Sequence, residues 1–546
     1  MAWLRSHRLV VAWVIGHAAV LLGATAWWLS RNELPDGYQN EFIHLFTLGE
    51  IVFRLRDEGF AAARPFIQDE YWPPLMHLLP GLAVSVLEPS RALATFVGAL
   101  VVLPLLAASA ALGHRHGGPA AACLATSLTA LSPIVFGNVR RYEPNILLGA
   151  CVLGAAWLLA TRRERSDRAF VIGVGLAFGL GMLADRLVFA VYLAPAVAWL
   201  WWREREHRRW LGALAIGAVA CSWYYVRFFA LHLGEVTSQL GGEISAGGAT
   251  SEIGVLSIRG LLYYPLSWVD GGAGLAFAAL IFVGLGLWIR ERDGGDPVLE
   301  PLLVGGLVLF TLVAKKQPYY GLPLLLAAIP LASAGLAKLP RRWVLLAAVA
   351  AIGVHQLLFL TAGRGLVPTP GRWAALSGAP VLPAGWLGNE YVLAAEPAPS
   401  GVDPERIARL CRATGGPTVL FSEGQGAYEG QLMPTLRLAL DTRALPGLVM
   451  EPEAWVESVD GATCFVYVAG AEEGPAGPQS VDRRWPTESS VTALLRQWNQ
   501  QDPTPELLAA LERARPRAQL RERWISERQE TVHVYALARP RGPDLH

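Results

Sequence analysis

The feature that most limits what this chain can become is its succession of apolar runs, nearly all bounded by arginine. Leu9 to Leu29 follows Arg5 and Arg8, and further runs lie at 91–112, 118–137, 144–161, 169–184, 187–202, 210–231, 272–290, 297–314, 319–337 and 342–361. A helix crossing a bilayer needs about 20 apolar residues, so most of these runs suit a span. Hydrophobic residues make up 53% of the 546 and charged residues only 17%, with 20 Trp, too little polar surface for a soluble protein. The fold class expected is a polytopic α-helical membrane protein of about eleven spans. Its first run has a basic start and no small-residue cleavage site, and reads as an uncleaved anchor. The runs within 169–202 are short, about 16 residues or 24 Å each, and predict a tight hairpin in thinned bilayer.

Residues 75–87 (LMHLLPGLAVSVL) are apolar but contain Pro80 and reach only about 20 Å, too little for a crossing. Charge tests this independently. With 75–87 held at the outer surface, Arg115, Arg162 to Arg168, Arg203 to Arg209, Arg290 and Arg292, and Lys338 to Arg342 all fall on the side of the N-terminus, which positive charge marks as cytoplasmic. Counting 75–87 as a crossing breaks that agreement for every later loop. Loop 30–74, the turns near 138–143 and 185–186, loop 232–271, Lys315 to Tyr320 and everything after 362 then lie outside. The expected location is a bacterial inner or plasma membrane with the C-terminus extracytoplasmic.

The chain therefore divides into a membrane domain, 1–361, and a soluble extracytoplasmic domain, 362–546. After Thr361, Pro, Gly and charge return, and PTVLF (417–421), CFVYVA (464–469) and TVHVYAL (531–537) alternate as strands do. Helical spacing at 403–413, opened by Asp403-Pro404, and at 489–514 completes a small α/β domain. Cys123, Cys151 and Cys221 lie in apolar runs as buried thiols, whereas Cys411 and Cys464 are placed to pair if their domain is outside. Arginine is clustered between apolar runs and forms no basic face, which argues against nucleic acid.

Carboxylates and cations collect on the outer side. In the first loop, Asp36 and Glu41 begin where a membrane-embedded head group would sit, and 40–56 has the spacing of a surface helix. Asp69 and Glu70 precede Trp72-Pro73-Pro74. Transfer of a sugar from a lipid phosphate to a hydroxyl needs a carboxylate to accept the proton and cations to stabilise the leaving phosphate. Candidate cations are Arg140 and Arg141 in NVRRYEPN, Arg186 in LADRL, and Lys315 and Lys316 in KKQPYY, two of only three lysines in the chain. The bland reading of each is a snorkelling anchor, and of Glu143 a salt-bridge partner. Glu41 and His44 share a helix turn, a weak metal signal with His77 and His232 as the other outer histidines.

Across residues 9–361 the chain resembles the C-type glycosyltransferases, in particular the protein O-mannosyltransferase and lipid A aminoarabinose transferase superfamily. Four ordered elements carry the resemblance: the acidic first outer loop, PPL at 73–75, RRYE after SPIVFGN, and KKQPYYGLPLLLAAIPLASAGLA with Tyr319 and Tyr320 as the aromatic pair. It implies a polyprenyl-phosphate sugar donor, inverting displacement, and an Asp of the first outer loop as base. The family's Asp-Glu pair falls on Asn40-Glu41, and Asn is no base, so Asp36 or Glu41 would take the role. Trp72 stands where the family often has Lys, which shifts phosphate binding toward Lys315, Lys316 and the arginines. The partners expected are that donor, a lipid or protein acceptor and the membrane; no cofactor is expected, and a divalent metal stays open. Competing readings are a transporter or flippase of a lipid-linked saccharide, and an inactive relative whose outer domain binds a partner.

Overall fold

A pair of glycines turns one helical stretch into two antiparallel legs. Between 102 and 130, Gly117 (φ −146°, ψ 16°) and Gly118 (φ 71°, ψ −163°) leave the helical region, the second in a conformation that side chains disfavour. Ser109 Oγ consequently donates to Ala125 O at 3.3 Å and lies 2.9 Å from Thr129 Oγ1. Along a straight helix 16 residues would separate these groups by about 24 Å. Gly113 lets the legs approach, since a Cβ there would meet Ala121 O at 2.8 Å.

The computed structural model describes residues 2–32, 39–57, 59–70, 72–87, 90–185, 187–204, 207–244, 257–291, 295–313, 316–363, 365–366, 381–382, 402–422, 442–444, 452–469, 471–474, 477–480, 484–487, 505–526 and 530–538. Its helices begin with α1 (Ala2–Leu29), α2 (Gln39–Asp57), α3 (Phe60–Asp69), α4 (Leu75–Val86), α5 (Arg91–Ala99), α6 (Val102–Ala130), α7 (Pro133–Val139) and α8 (Asn145–Ala160). They continue with α9 (Asp167–Ala184), α10 (Val188–Arg203), α11 (His207–Ile244), α12 (Ile258–Leu261), α13 (Tyr263–Ser267), α14 (Leu275–Glu291), α15 (Leu299–Leu312), α16 (Leu322–Leu336) and α17 (Arg342–Ala362). Most predicted apolar runs match one helix each, whereas 91–112 is divided between α5 and the first leg of α6, and 118–137 between the second leg of α6 and α7. Among the described residues six stretches are long and apolar enough, by length and composition, to cross a bilayer: Arg8–Leu29, Arg91–Ala130, Asp167–Ala184, His207–Gly234, Pro318–Leu336 and Arg342–Ala362. Shorter apolar helices include α8, α10 and α15, and α4 has only 12 residues.

Two compact units emerge. The first comprises Met1–Trp28, Arg64–Leu79 and Thr95–Pro397. Its arginine-rich loops are tied to one another: Arg115 to Glu164, Arg162 Nε to Glu204 at 2.7 Å, Arg209 Nε to Asp167 at 3.1 Å, His116 Nε2 to Asp296 at 3.5 Å and Lys338 Nζ to Glu291 at 3.7 Å. The pairs exposed on both sides, Arg115–Glu164 and Lys338–Glu291, contribute little stability, about 0–1 kcal/mol each. What they establish is position, since they gather the loops that carry the arginines at one end of the unit. At the other end Tyr225 OH donates to Met182 O (2.8 Å), Tyr192 OH to Tyr320 O (2.7 Å) and Trp268 Nε1 to Gly321 O (3.3 Å).

The second unit comprises Leu29–Ala63, Pro80–Ala94 and Ala398–His546. In its N-terminal part Leu45, Leu48, Ile51 and Val52 of α2 are buried. Arg56 Nη2 donates to Val84 O (2.8 Å) and Leu87 O (3.3 Å), satisfying carbonyls at the C-terminal end of α4. The C-terminal part has α18 (Pro404–Arg412), β1 (Thr418–Ser422), β2 (Thr442–Ala444), α19 (Pro452–Gly461), β3 (Cys464–Ala469), β4 (Ala471–Gly474), β5 (Gly477–Ser480), α20 (Pro505–Ala514), β6 (Ala518–Ile525) and β7 (Thr531–Leu537). Strands run β2-β1-β3-β7-β6, parallel for β1 with β2 and β3, antiparallel for β7 with β3 and β6. Alternation along β3 sends Phe465 and Tyr467 toward Val459 of α19 and Leu507 of α20, and Val466 and Val468 toward Ile407 and Ala408 of α18. Both faces are thus covered, as the apolar runs of a central strand require. Asp403 caps α18, accepting from Arg406 N at 2.9 Å, and a Cys411–Cys464 disulfide joins α18 to β3. Of the predicted helix 489–514 the described part is Pro505–Ala514.

Candidate active site

Asp36, Arg186 and Lys315, all predicted site residues, lie outside the described residues, as does the side chain of Asn40. Glu41 is described, and its setting differs from that of an accessible base. It is fully buried on α2, where Oε1 accepts from Arg91 Nη2 at 3.0 Å and Nε at 3.3 Å; Arg91 Nη1 also donates to Asn32 O at 2.9 Å. A carboxylate oxygen that accepts twice from a buried guanidinium forms a charge-assisted pair. This arrangement fixes the first turn of α2 against the start of α5 and the chain leaving α1. Sequence reasoning missed Arg91, which reads as an ordinary charge ahead of an apolar run.

In the first unit Asp69 is also committed. Its carboxylate meets Arg227 of α11 through both oxygens, with Nη2 to Oδ2 at 2.6 Å. Neighbouring backbone is pinned to the same helix: His232 Nε2 donates to Asp69 O (2.8 Å) and Tyr224 OH to Glu70 O (3.0 Å), while Gln68 Nε2 donates to Trp223 O (3.0 Å). The acidic turn before Pro73 and Pro74 is therefore a rigid attachment to α11. No pattern around Arg227 in the sequence signals this role.

Arg140, Arg141 and Glu143 occupy the turn between α7 and α8, and all three are buried. Arg140 donates to Thr361 Oγ1 at the end of α17, and its guanidinium lies 5.2 Å from the Phe136 ring and 5.8 Å from that of Trp28. Asn145 Nδ2 donates both to Glu143 Oε2 (2.6 Å) and to Asn138 Oδ1 (2.9 Å), so the carboxylate is set by the amide two residues on. Tyr142 OH donates to Met76 O, and His77 Nδ1 lies 3.2 Å from the same hydroxyl. Because that hydroxyl has one hydrogen, Nδ1 carries the proton between them. Burial lowers His77 to about 3, leaving a neutral imidazole, and raises Tyr142. Two adjacent buried guanidinium groups, that of Arg140 over two aromatic faces, suit a polyanionic group.

Lys316 is turned inward. Nζ donates to Phe310 O (3.0 Å) and Thr311 O at the C-terminus of α15 and lies 5.9 Å from the Tyr264 ring, and the residue is 2% exposed. A cation there satisfies orphan carbonyls and complements the helix dipole. Desolvation lowers it to about 8. Tyr319 and Tyr320 pack edge to face at 4.7 Å, and Tyr320 continues through Phe310 to Tyr192. This aromatic group braces the turn between α15 and α16. Among the described residues no three His, Cys, Asp or Glu side chains converge as metal ligands.

Residues 72–226 match the sequence profile of a family described as dolichyl-phosphate-mannose-protein mannosyltransferase. No curated protein sequence matches the chain significantly. Over nearly its whole length the fold is similar to ArnT from Cupriavidus metallidurans. The apo structure of that protein aligns with a TM-score of 0.54 at 15% identity, covering 96% of this chain and 98% of the other. Its structure bound to undecaprenyl phosphate gives 0.55 at the same identity and coverage.

Proposed function

We propose that this chain, by fold a member of the C-type glycosyltransferases, moves a sugar from a polyprenyl-phosphate donor to an acceptor hydroxyl on the extracytoplasmic side of a bacterial membrane. The observation that carries this reading is the fold likeness over 96% of the chain to a protein whose structure holds undecaprenyl phosphate. The profile match at 72–226 adds independent support over the segment that contains the PPL and RRYE elements.

In this reading 1–361 crosses eleven times with the N-terminus inside and is the catalytic membrane domain, and 362–546 lies outside. The gathering of arginine loops at one end of the first unit supports that orientation through the positive-inside rule. The Cys411–Cys464 disulfide supports an oxidising, extracytoplasmic side for the C-terminal domain.

Displacement at the anomeric carbon forms one bond to the acceptor oxygen as the bond to the phosphate oxygen breaks, with inversion. The acceptor hydroxyl's proton passes to a carboxylate and the electron pair leaves with polyprenyl phosphate. Asp36 is the base in this reading, since Glu41 is buried and engaged by Arg91 and serves to position the loop. Arg140 and Arg141 stabilise the leaving phosphate, with Arg186 and Lys315 as further cations. Asp69, Glu70, Glu143, Lys316, Tyr319 and Tyr320 shape the donor's surroundings through the attachments described above. No cofactor enters these steps.

The test is transfer from a labelled polyprenyl-phosphate sugar in proteoliposomes. Asp36→Asn should abolish turnover in protein that elutes and melts like the wild type. Full activity in an Asp36→Asn, Glu41→Gln double variant would sink the assignment.

A further inference from the structure

At the arginine-rich end of the first unit, α10 and α15 leave between them a groove of about 720 Å³. The helices approach closely at Gly305, where a Cβ would strike the Pro195 ring, and the groove's lining reaches from there to Gly295, Asp296 and Pro297. Pro195, Ala198, Pro301 and Val304 give an apolar floor, and Trp199 and Trp202 stand at the opening with Trp202 77% exposed. Exposed Trp at the end of a membrane helix belongs at the level of lipid head groups.

Charge at the lip selects among lipids. Arg203 is exposed at the C-terminal end of α10, and Glu300 lies across from it on the first turn of α15. Asp296 is occupied in holding α15: Oδ1 accepts from Val298 N (2.9 Å) and Leu299 N, and Oδ2 faces His116. Glu300 accepts from Trp288 Nε1 at 2.9 Å, which fixes its carboxylate in place. Among the described lining residues, one cation and fixed carboxylates beside an apolar channel match a zwitterion. An anionic lipid would gain Arg203 but meet two carboxylates. A choline head group would match the charge yet could not donate a hydrogen bond to them.

We propose that this groove holds one phospholipid with a primary ammonium head group, phosphatidylethanolamine, its acyl chain on the Pro195–Val304 floor, its phosphate at Arg203 and its ammonium at Glu300. The proposal rests on the membrane placement of the transferase reading but not on the chemistry. Native mass spectrometry of the full-length protein, with phosphatidylethanolamine, phosphatidylglycerol or phosphatidylcholine added to the detergent, reads it directly. Retention of phosphatidylethanolamine should exceed that of either competitor by about tenfold, as one charge-assisted hydrogen bond gives. Glu300→Gln should remove the preference over phosphatidylcholine, and Arg203→Gln should weaken both. Val304→Trp, at a 61% exposed position that tolerates bulk, should fill the floor and abolish retention without altering the melting curve. Equal retention of the three lipids, preference for phosphatidylglycerol, or unchanged retention in Val304→Trp would overturn it. Because no sugar donor is present, failure here leaves the transferase reading intact, and inactive transfer leaves this result intact.

Discussion

Replacing Arg91 by Met leaves Glu41 as a carboxylate stripped of its principal counter-charge inside α2. Glu41 is 0% exposed and Arg91 3%, with Nη2 and Oε1 3.0 Å apart, so neither group has water to fall back on. Removing one partner of such a pair costs about 3–5 kcal/mol, and loss of the Arg91 bond to Asn32 O adds about 1 kcal/mol. Glu41→Met should cost a comparable amount by stranding the guanidinium. In the Glu41→Met, Arg91→Met double variant no buried charge remains, and most of the loss should be recovered. Stability is read from SDS-titration unfolding of the purified full-length protein, with the four proteins forming a double-mutant cycle. Single variants within about 1 kcal/mol of the wild type would refute the reasoning, because that is what a solvated pair gives. So would a double variant whose loss equals the sum of the singles.

Three further outcomes are expected. Cys411 and Cys464 should migrate as a disulfide on non-reducing gels, and Cys411→Ala with Cys464→Ala should cost the C-terminal domain up to about 4 kcal/mol for a separation of 53 residues in the chain-entropy account. Because burial lowers Lys316 to about 8, the unfolded chain binds its proton more tightly; stability should rise between about pH 8 and the ordinary lysine value near 10.4, and Lys316→Gln should flatten that rise in melting curves. Gly335→Ala should lower the melting temperature, since its Cβ would press on Gly284 O and sit 2.9 Å from Trp288 N, costing about 1–3 kcal/mol; Gly154→Ala, with nothing within 4 Å, is the control.

What is legible in the sequence is whatever repeats locally. Apolar runs locate α8, α9, α10 and α17 within a residue or two, and the gap between 112 and 118 anticipates the turn at Gly117 and Gly118. Alternation identifies β3 and β7 at their observed bounds. Pairings between distant residues leave no such trace. Arg91 lies 50 residues from Glu41 and Arg227 lies 158 from Asp69, and each looks like an ordinary charge in or beside an apolar run. Lys316 shows a different limit: residue type suggests a phosphate ligand, and the sequence does not reveal that its ammonium donates to carbonyls left over at the end of α15. Composition therefore locates the polar cluster, while only packing decides which of its charges are already engaged.

The central claim is the identity of the lipid product. Mass spectrometry of lipids extracted from proteoliposomes supplied with a polyprenyl-phosphate sugar and acceptor membranes should show free polyprenyl phosphate accumulating one for one with glycosylated acceptor. Polyprenyl-phosphate sugar carried intact to the other leaflet, with no free polyprenyl phosphate formed, would contradict the account and identify a transporter instead.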